Sequence, residues 1–128
     1  TTVVAPPDGN MGDYMRSLEK IGAKGFDILW PTHGSPVRGR QFVATFIDEY
    51  ASHRKAREAS IIAELRGGET SIPAMVSRMY KDVDQRLHPA AAMSVLGHML
   101  DLIERGRVTT PDAEPTPRSR FDLAPARA

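Results

Sequence analysis

The fold is decided by a short apolar run that ends in a histidine, Phe26-Asp27-Ile28-Leu29-Trp30-Pro31-Thr32-His33-Gly34-Ser35-Pro36-Val37. An apolar run that stops at proline and is followed by glycine is typical of a buried strand ending in a tight turn. His33 would then lie at the carboxyl end of that strand, where open α/β sheets place their ligands. Taken alone, one histidine after a strand is more often structural than metal-binding.

The residues before this run predict the rest of an α/β layer. Thr1-Thr2-Val3-Val4-Ala5 is β-branched and apolar, which favours a strand. Apolar residues then recur at spacings of three and four from Met11 to Ile21, which predicts an amphipathic helix that begins after Asn10. A strand, a helix and a second strand within about 30 residues have the length of a βαβ crossover.

The residues after the run are mainly helical. From Arg40 a long helical pattern continues to Gly67-Gly68. Ser71 is placed to cap a second helix, and Pro89 opens a third helix that Gly106 ends. Segments 107–110 and 118–123 could then pair as two strands. Helices followed by a hairpin give the order of a winged helix, a variant of the helix-turn-helix.

Composition restricts the function without naming it. The net charge of +1 gives no whole-chain argument for nucleic acid or an anionic membrane. The lack of cysteine excludes disulfides and Cys-ligated zinc, and it fits a reducing cytoplasm. No apolar stretch approaches the roughly 20 residues that a membrane span needs. The chain opens at Thr1 rather than at methionine, so we expect a piece of a longer protein.

Several short motifs together resemble one family. They are Val4-Ala5-Pro6-Pro7-Asp8-Gly9, Met11-Gly12-Asp13-Tyr14, Pro31-Thr32-His33-Gly34, His53-Arg54, Arg57-Glu58, Leu87 with Pro89-Ala90-Ala91, and Gly106-Arg107-Val108. In this order and spacing they resemble the last part of a metallo-β-lactamase-fold hydrolase of the lactamase-β-2-like subgroup, which has an appended winged-helix domain. Thr32 stands where such proteins often have glycine.

The resemblance implies a fold class and a domain organisation. We expect an α/β portion, the end of an αββα metallo-β-lactamase sandwich, followed by a mainly α winged-helix domain. The expected boundaries are 1–39 for the metallo-β-lactamase-like part, 40–66 for a long linking helix, 67–123 for the winged helix and 124–128 for a frayed tail.

The resemblance also implies zinc chemistry. His33 would be the last ligand of a two-zinc site in a hydrolase that cleaves an ester, thioester or phosphodiester bond. The other ligands of that site come from an H-x-H-x-D-H motif, a further histidine and an aspartate, none of which this chain has; its other histidines are His53, His88 and His98. Because a catalytic zinc needs about three protein ligands, we expect this chain to be inactive alone.

Two further groups of residues are candidates for contact with a ligand. His53, Arg54, Arg57 and Glu58 can share one helix face, as a substrate-facing basic patch or an interdomain ion-pair cluster. The alternative is a solvated helix with an Arg54–Glu58 pair. We expect His98 to be a packing residue. The third helix lacks lysine, asparagine and glutamine, so sequence-specific DNA reading is not expected. Four arginines in or near the wing keep RNA open as a partner: Arg105, Arg107, Arg118 and Arg120.

These expectations leave two functions in view. The preferred one is the carboxyl-terminal portion of a zinc-dependent hydrolase, and the other is a non-enzymatic winged-helix interaction or RNA-binding module. A truncated α/β layer should expose apolar side chains, namely Val3, Val4, Ile28 and Trp30. We therefore expect the preceding catalytic half, or a second copy of the chain, to cover them.

Overall fold

The computed structural model describes residues 4–125. The chain divides into two compact units. One unit, called the arm below, is Gly12–Arg57; the other, called the winged-helix unit, combines Thr1–Met11 with Glu58–Ala128. None of the helices in residues 4–125 has the length and apolarity that a bilayer crossing requires.

The helices agree with the sequence pattern. They are α1 (Met11–Ala23), α2 (Arg40–Arg66), α3 (Ile72–Met79) and α4 (His88–Glu104), with a 3₁₀ turn at Gln85–Leu87. The strands are short: β1 (Ile28–Leu29), β2 (Val37–Arg38), β3 (Val108–Thr109) and β4 (Asp122–Leu123). The described chain is therefore mainly helical, as the second part of the predicted fold class requires.

The arm contains a β-hairpin after α1. β1 and β2 pair antiparallel, with Ile28 opposite Arg38 and Leu29 opposite Val37. Pro31 lies just after β1, and Pro36 comes directly before β2. A proline has no N–H that could extend the strand pairing, so the hairpin stays short. The predicted βαβ crossover is not found in the described residues, because the strand after α1 pairs with the strand that follows it.

The predicted first strand is also not found where it can be examined. Val4 and Ala5 have no strand geometry, and residues 1–3 lie outside the described range. Val4 was expected to be exposed, and this is wrong: it is 4% exposed. The expected exposure of Ile28 and Trp30 is confirmed, at 39% and 71%.

The winged-helix unit has a closed apolar core. The fully buried side chains include Ile61 of α2, Ile72 and Met75 of α3, and Met99 and Leu102 of α4. Each comes from the apolar face that its helix shows in the sequence, so helical periodicity accounts for the core.

The start of α3 is capped differently from the prediction. Ser71 occupies the predicted cap position, but its side chain makes no capping hydrogen bond. The carboxylate of Glu69 accepts hydrogen bonds from the backbone N–H groups of Thr70 and Ser71, at 2.9 and 3.1 Å. The Glu69 carboxylate therefore fixes the backbone just before α3, and it does not bond the N–H groups of the first helical turn.

The wing is the predicted strand pair. β3 and β4 are antiparallel, with Val108 opposite Leu123 and Thr109 opposite Asp122. A bridge between Ser71 and Arg120 adds a third edge, and the N–H of Phe121 donates to the carbonyl of Thr70 at 3.0 Å. Phe121 is fully buried, so this edge fixes the wing on the core.

Candidate functional site: the loop that carries His33

His33 lies in the loop between β1 and β2. This loop runs from Trp30 to Pro36, and His33 is exposed within it. Gly34 follows with φ +92, a left-handed conformation that residues with a side chain rarely adopt. The Gly after His33 is therefore required by the turn, as the sequence pattern indicated.

Asp27 and the residues after β2 fix the base of the hairpin. The N–H of Gly39 donates to the carbonyl of Asp27 at 2.7 Å. The Nε of Arg40 also donates to Oδ1 of Asp27, at 3.2 Å. Gly39 has φ +98, so this close approach again relies on glycine. The ends of the hairpin are thereby joined just before α2 begins.

Trp30 and Arg38 contact each other where the loop meets the strands. The guanidinium carbon of Arg38 lies 5.3 Å from the centre of the Trp30 ring, which is cation–π distance. Trp30 is nevertheless 71% exposed. The His33 loop is thus flanked by a large aromatic surface that the arm itself leaves open.

The described residues do not complete a metal site. Within residues 4–125, no group of three or more histidine, cysteine, aspartate or glutamate side chains could hold a metal ion. A catalytic zinc takes about three protein ligands. His33 therefore fits a zinc site only as one ligand among others from outside this chain, and its ligand role stays a prediction.

The other substrate candidates differ in their surroundings. Arg54 is only 8% exposed, and its guanidinium lies 5.1 Å from the centre of the Tyr14 ring. His53 is exposed and Arg57 is half-buried. Arg54 thus packs within the arm, while His53, the residue before it in α2, faces solvent.

The two remaining histidines lie in the winged-helix unit. His98 is 5% exposed on the buried part of α4, as expected for a packing residue. The Nε2 of His88 lies 3.0 Å from the carbonyl oxygen of Tyr80 and 3.2 Å from that of Val83, so this nitrogen carries a proton and donates to them. His88 therefore joins the start of α4 to the end of α3, a role that no sequence pattern predicted.

The third helix, α4, leaves little side-chain surface in solvent. No residue from Ala91 to Ile103 is exposed. Among the wing arginines, Arg105 pairs with Glu58 and Asp101, and Arg120 pairs with Asp122. Arg107 and Arg118 are exposed.

An ion-pair cluster that the sequence did not reveal connects α2 to α3. The guanidinium of Arg78 contacts the carboxylates of Glu64 and Glu69, each at 2.7 Å. The hydrogen bond from Arg78, followed by those from Ser71 and Thr70, lowers the pKa of the Glu69 carboxyl. The cluster borders a surface hollow of about 740 Å³. Because its cation is neutralised on both sides, we interpret the cluster as structural.

Comparison with known proteins places these features in a family context. A family model described as the β-lactamase associated winged helix domain matches residues 71–114. A β-lactamase-like protein 2 homologue from Caenorhabditis elegans is 34% identical over an alignment of length 107, gaps included, which covers 82% of this chain and 35% of that protein. The Drosophila melanogaster homologue is 31% identical over an alignment of length 102, gaps included, which covers 75% of this chain and 33% of that protein.

A fungal relative and two solved structures extend the likeness. The lactamase-like protein nscB of Arthroderma otae is 30% identical over an alignment of length 129, gaps included, which covers 89% of this chain and 37% of that protein. A metallo-β-lactamase family protein from Thermus thermophilus matches with a TM-score of 0.66 at 20% identity, covering 88% of this chain and 33% of that one. A β-lactamase domain protein from Burkholderia ambifaria gives 0.68 at 24% identity, with 87% and 32% covered.

Two facts follow from these comparisons. The chain spans about a third of the length of the curated relatives it matches. At identities below 25%, the two solved structures show a shared fold alone.

Proposed function

The chain belongs to the β-lactamase-like proteins that have an appended winged-helix domain, and from this premise we propose that it is the carboxyl-terminal portion of a zinc-dependent hydrolase. Residues 1–39 would be the end of the αββα sandwich, 40–66 the linking helix, 67–123 the winged helix and 124–128 the tail. Membership in the family is shown, while the hydrolase activity, the zinc and these boundaries are what we propose.

The position of His33 is the observation that carries the proposal. The histidine is exposed on a loop whose base is joined by the contacts of Asp27 with Gly39 and Arg40. Metal ligands need such fixed positions, because the coordination geometry tolerates little displacement. In the proposal His33 contributes one zinc ligand, and the other ligands come from residues outside this chain. Zinc, when bound, would supply the activated water that hydrolysis uses.

The substrate class follows from the family resemblance. We propose an ester, a thioester or a phosphodiester, with His53, Arg54 and Arg57 as candidates for contacting it. Of these, His53 is the side chain that α2 presents to solvent. Arg54 would contact a substrate only after leaving the Tyr14 ring, over which its guanidinium lies.

The proposal also gives the arm a partner. Phe26, Ile28, Trp30 and Phe42 are 39% to 71% exposed. Apolar side chains gathered in one region are typical of an interface. The preceding part of the catalytic domain is the proposed partner, and a second copy of the chain is the alternative.

Zinc titration of the chain extended upstream tests the proposed function. We expect the extended chain to bind zinc and to hydrolyse a chromogenic ester, thioester or phosphodiester. Replacing a residue that only hydrogen-bonds to a metal ligand lowers metal affinity by roughly 10- to 100-fold. His33→Ala removes a proposed ligand itself, so it should lower zinc affinity by more than that. The matched variant His53→Ala should leave zinc affinity unchanged, since His53 lies on α2 and not on the loop.

The opposite results are equally clear. Unchanged zinc affinity in His33→Ala would exclude the ligand role. An extended chain that neither binds zinc nor hydrolyses these compounds would favour the non-enzymatic alternative. That alternative, an RNA-binding or interaction module, depends mainly on Arg107 and Arg118, because Arg105 and Arg120 are held in ion pairs.

A further inference from the structure

Gly97 on α4 faces the backbone of the chain's own first residues. A Cβ atom at position 97 would lie 2.6 Å from the carbonyl oxygen of Val4 and 3.9 Å from the Cα of Ala5. The first distance is shorter than real Cβ contacts allow, and the atom it meets is backbone, which cannot turn away as a flexible side chain can. Only glycine therefore permits this approach.

The segment that approaches Gly97 has a defined conformation. The N–H of Gly9 donates to the carbonyl of Ala5 at 2.7 Å, which closes a turn around Pro6 and Pro7. Val4 and Met11, at the two ends of the segment, are 4% and 2% exposed. Residues Val4–Met11, called the docked segment below, thus belong to the same compact unit as α4.

The helical position makes glycine costly unless it serves the contact. Gly97 lies in the middle of α4. At such a position, alanine in place of glycine would by itself raise the folding equilibrium constant about two- to fivefold. Gly22 of α1 is a useful comparison, because a Cβ there would meet only Cγ2 of Ile47, at an ordinary 3.6 Å. The two helical glycines therefore differ in what an added methyl group would touch.

We infer that α4 is the docking site of the docked segment, and that Gly97 is the positioning residue that sets the segment's approach. The docked segment would then occupy α4, the helix that in DNA-binding winged helices enters the major groove. This inference rests on the proposed function and deepens it: the docked segment, within residues 1–39, would be one part of the end of the metal-bearing sandwich, and α4 would position that segment. Its test does not depend on zinc or activity.

Gly97→Ala and Gly22→Ala are the matched variants for this test. Helix propensity alone predicts that both raise the folding equilibrium constant, by about two- to fivefold for Gly97→Ala inside α4 and by less for Gly22→Ala in the last turn of α1. We expect this for Gly22→Ala and the opposite sign for Gly97→Ala, measured by urea unfolding. Hydrogen exchange at the Gly9 amide should become more than about tenfold faster in Gly97→Ala, while the amides of Met99 and Leu102 change much less.

Removal of residues 1–9 provides the decisive rescue. Without the docked segment there is no Val4 carbonyl to meet, so Gly97→Ala should now stabilise the chain as Gly22→Ala does. A Gly97→Ala variant that still destabilises the shortened chain, or that leaves Gly9 exchange unchanged in the full chain, would overturn the inference. If Gly97→Ala prevents folding of the full chain, its folding in the shortened chain would support the inference, and failure in both would overturn it.

Discussion

The arm and the winged-helix unit differ in how far their large aromatic side chains are buried. Phe121, on the wing, is 0% exposed in a core to which α2, α3 and α4 all contribute. Trp30 and Phe42, in the arm, are each 71% exposed. Since burying a large apolar side chain is a main source of folding free energy, the first unit closes its own core. The arm leaves comparable apolar surface in solvent.

The largest expected difference between the two regions is in the stability lost when one phenylalanine of each is replaced by alanine. Phe121→Ala should lower the free energy of unfolding by about 3–5 kcal/mol, because it removes a fully buried ring and leaves a cavity. Phe42→Ala should change it by no more than about 0.5 kcal/mol, because that ring is largely in solvent. Urea unfolding of both variants measures the difference.

Similar losses in the two variants would contradict the comparison. They would mean that Phe42 is buried in the isolated chain in solution, and that the arm needs no cover. Leu87→Ala, another exposed apolar residue at 57% exposure, checks that exposure rather than the location in the arm explains the small effect.

The helices and the winged helix could be predicted from the sequence. Apolar spacing in α1, α2 and α4 predicted their positions to within a few residues, because one face of each helix is buried or partly buried. The wing was predicted as a pairing of segments 107–110 and 118–123, and Phe121 in the second segment is fully buried.

The remaining features depend on contacts that helical or strand periodicity does not predict. The pairing of β1 with β2, the burial of Val4 against Gly97 and the ion pairs of Arg78 leave no periodic pattern. Gly97, in the middle of an apolar helix, could have indicated the contact with Val4, because a helical glycine costs stability unless packing requires it. The role of His33 could be inferred only from resemblance, because its proposed fellow ligands lie outside this chain.

A smaller effect concerns pH in the winged-helix unit. The hydrogen bond from Arg78 and those from Ser71 and Thr70 lower the pKa of Glu69 below its usual 4.5. A carboxyl whose pKa is lowered by folding stabilises the protein above its unfolded-state pKa, and this is lost as pH falls through the folded-state pKa. We expect Glu69→Gln to be less stable than the parent near neutral pH, and the gap to narrow below pH 4.5.

Unfolding midpoints in urea between pH 7 and pH 2 measure this gap. Glu114→Gln is the control, because it removes one acidic charge from an exposed wing position of the same unit. A gap between Glu69→Gln and the parent that widens on acidification would contradict the assignment of Glu69.

The environment of Trp30 gives the most direct test of the central claim, that the arm is an interface for the part of the protein preceding this chain. Trp30 is the single tryptophan, so a 5-fluorotryptophan label reports on it alone by ¹⁹F NMR. Adding the unlabelled preceding part as a separate polypeptide should shift the resonance and remove its sensitivity to exchange of H₂O for D₂O. A resonance that remains solvent-sensitive at a saturating concentration of that part would contradict the account.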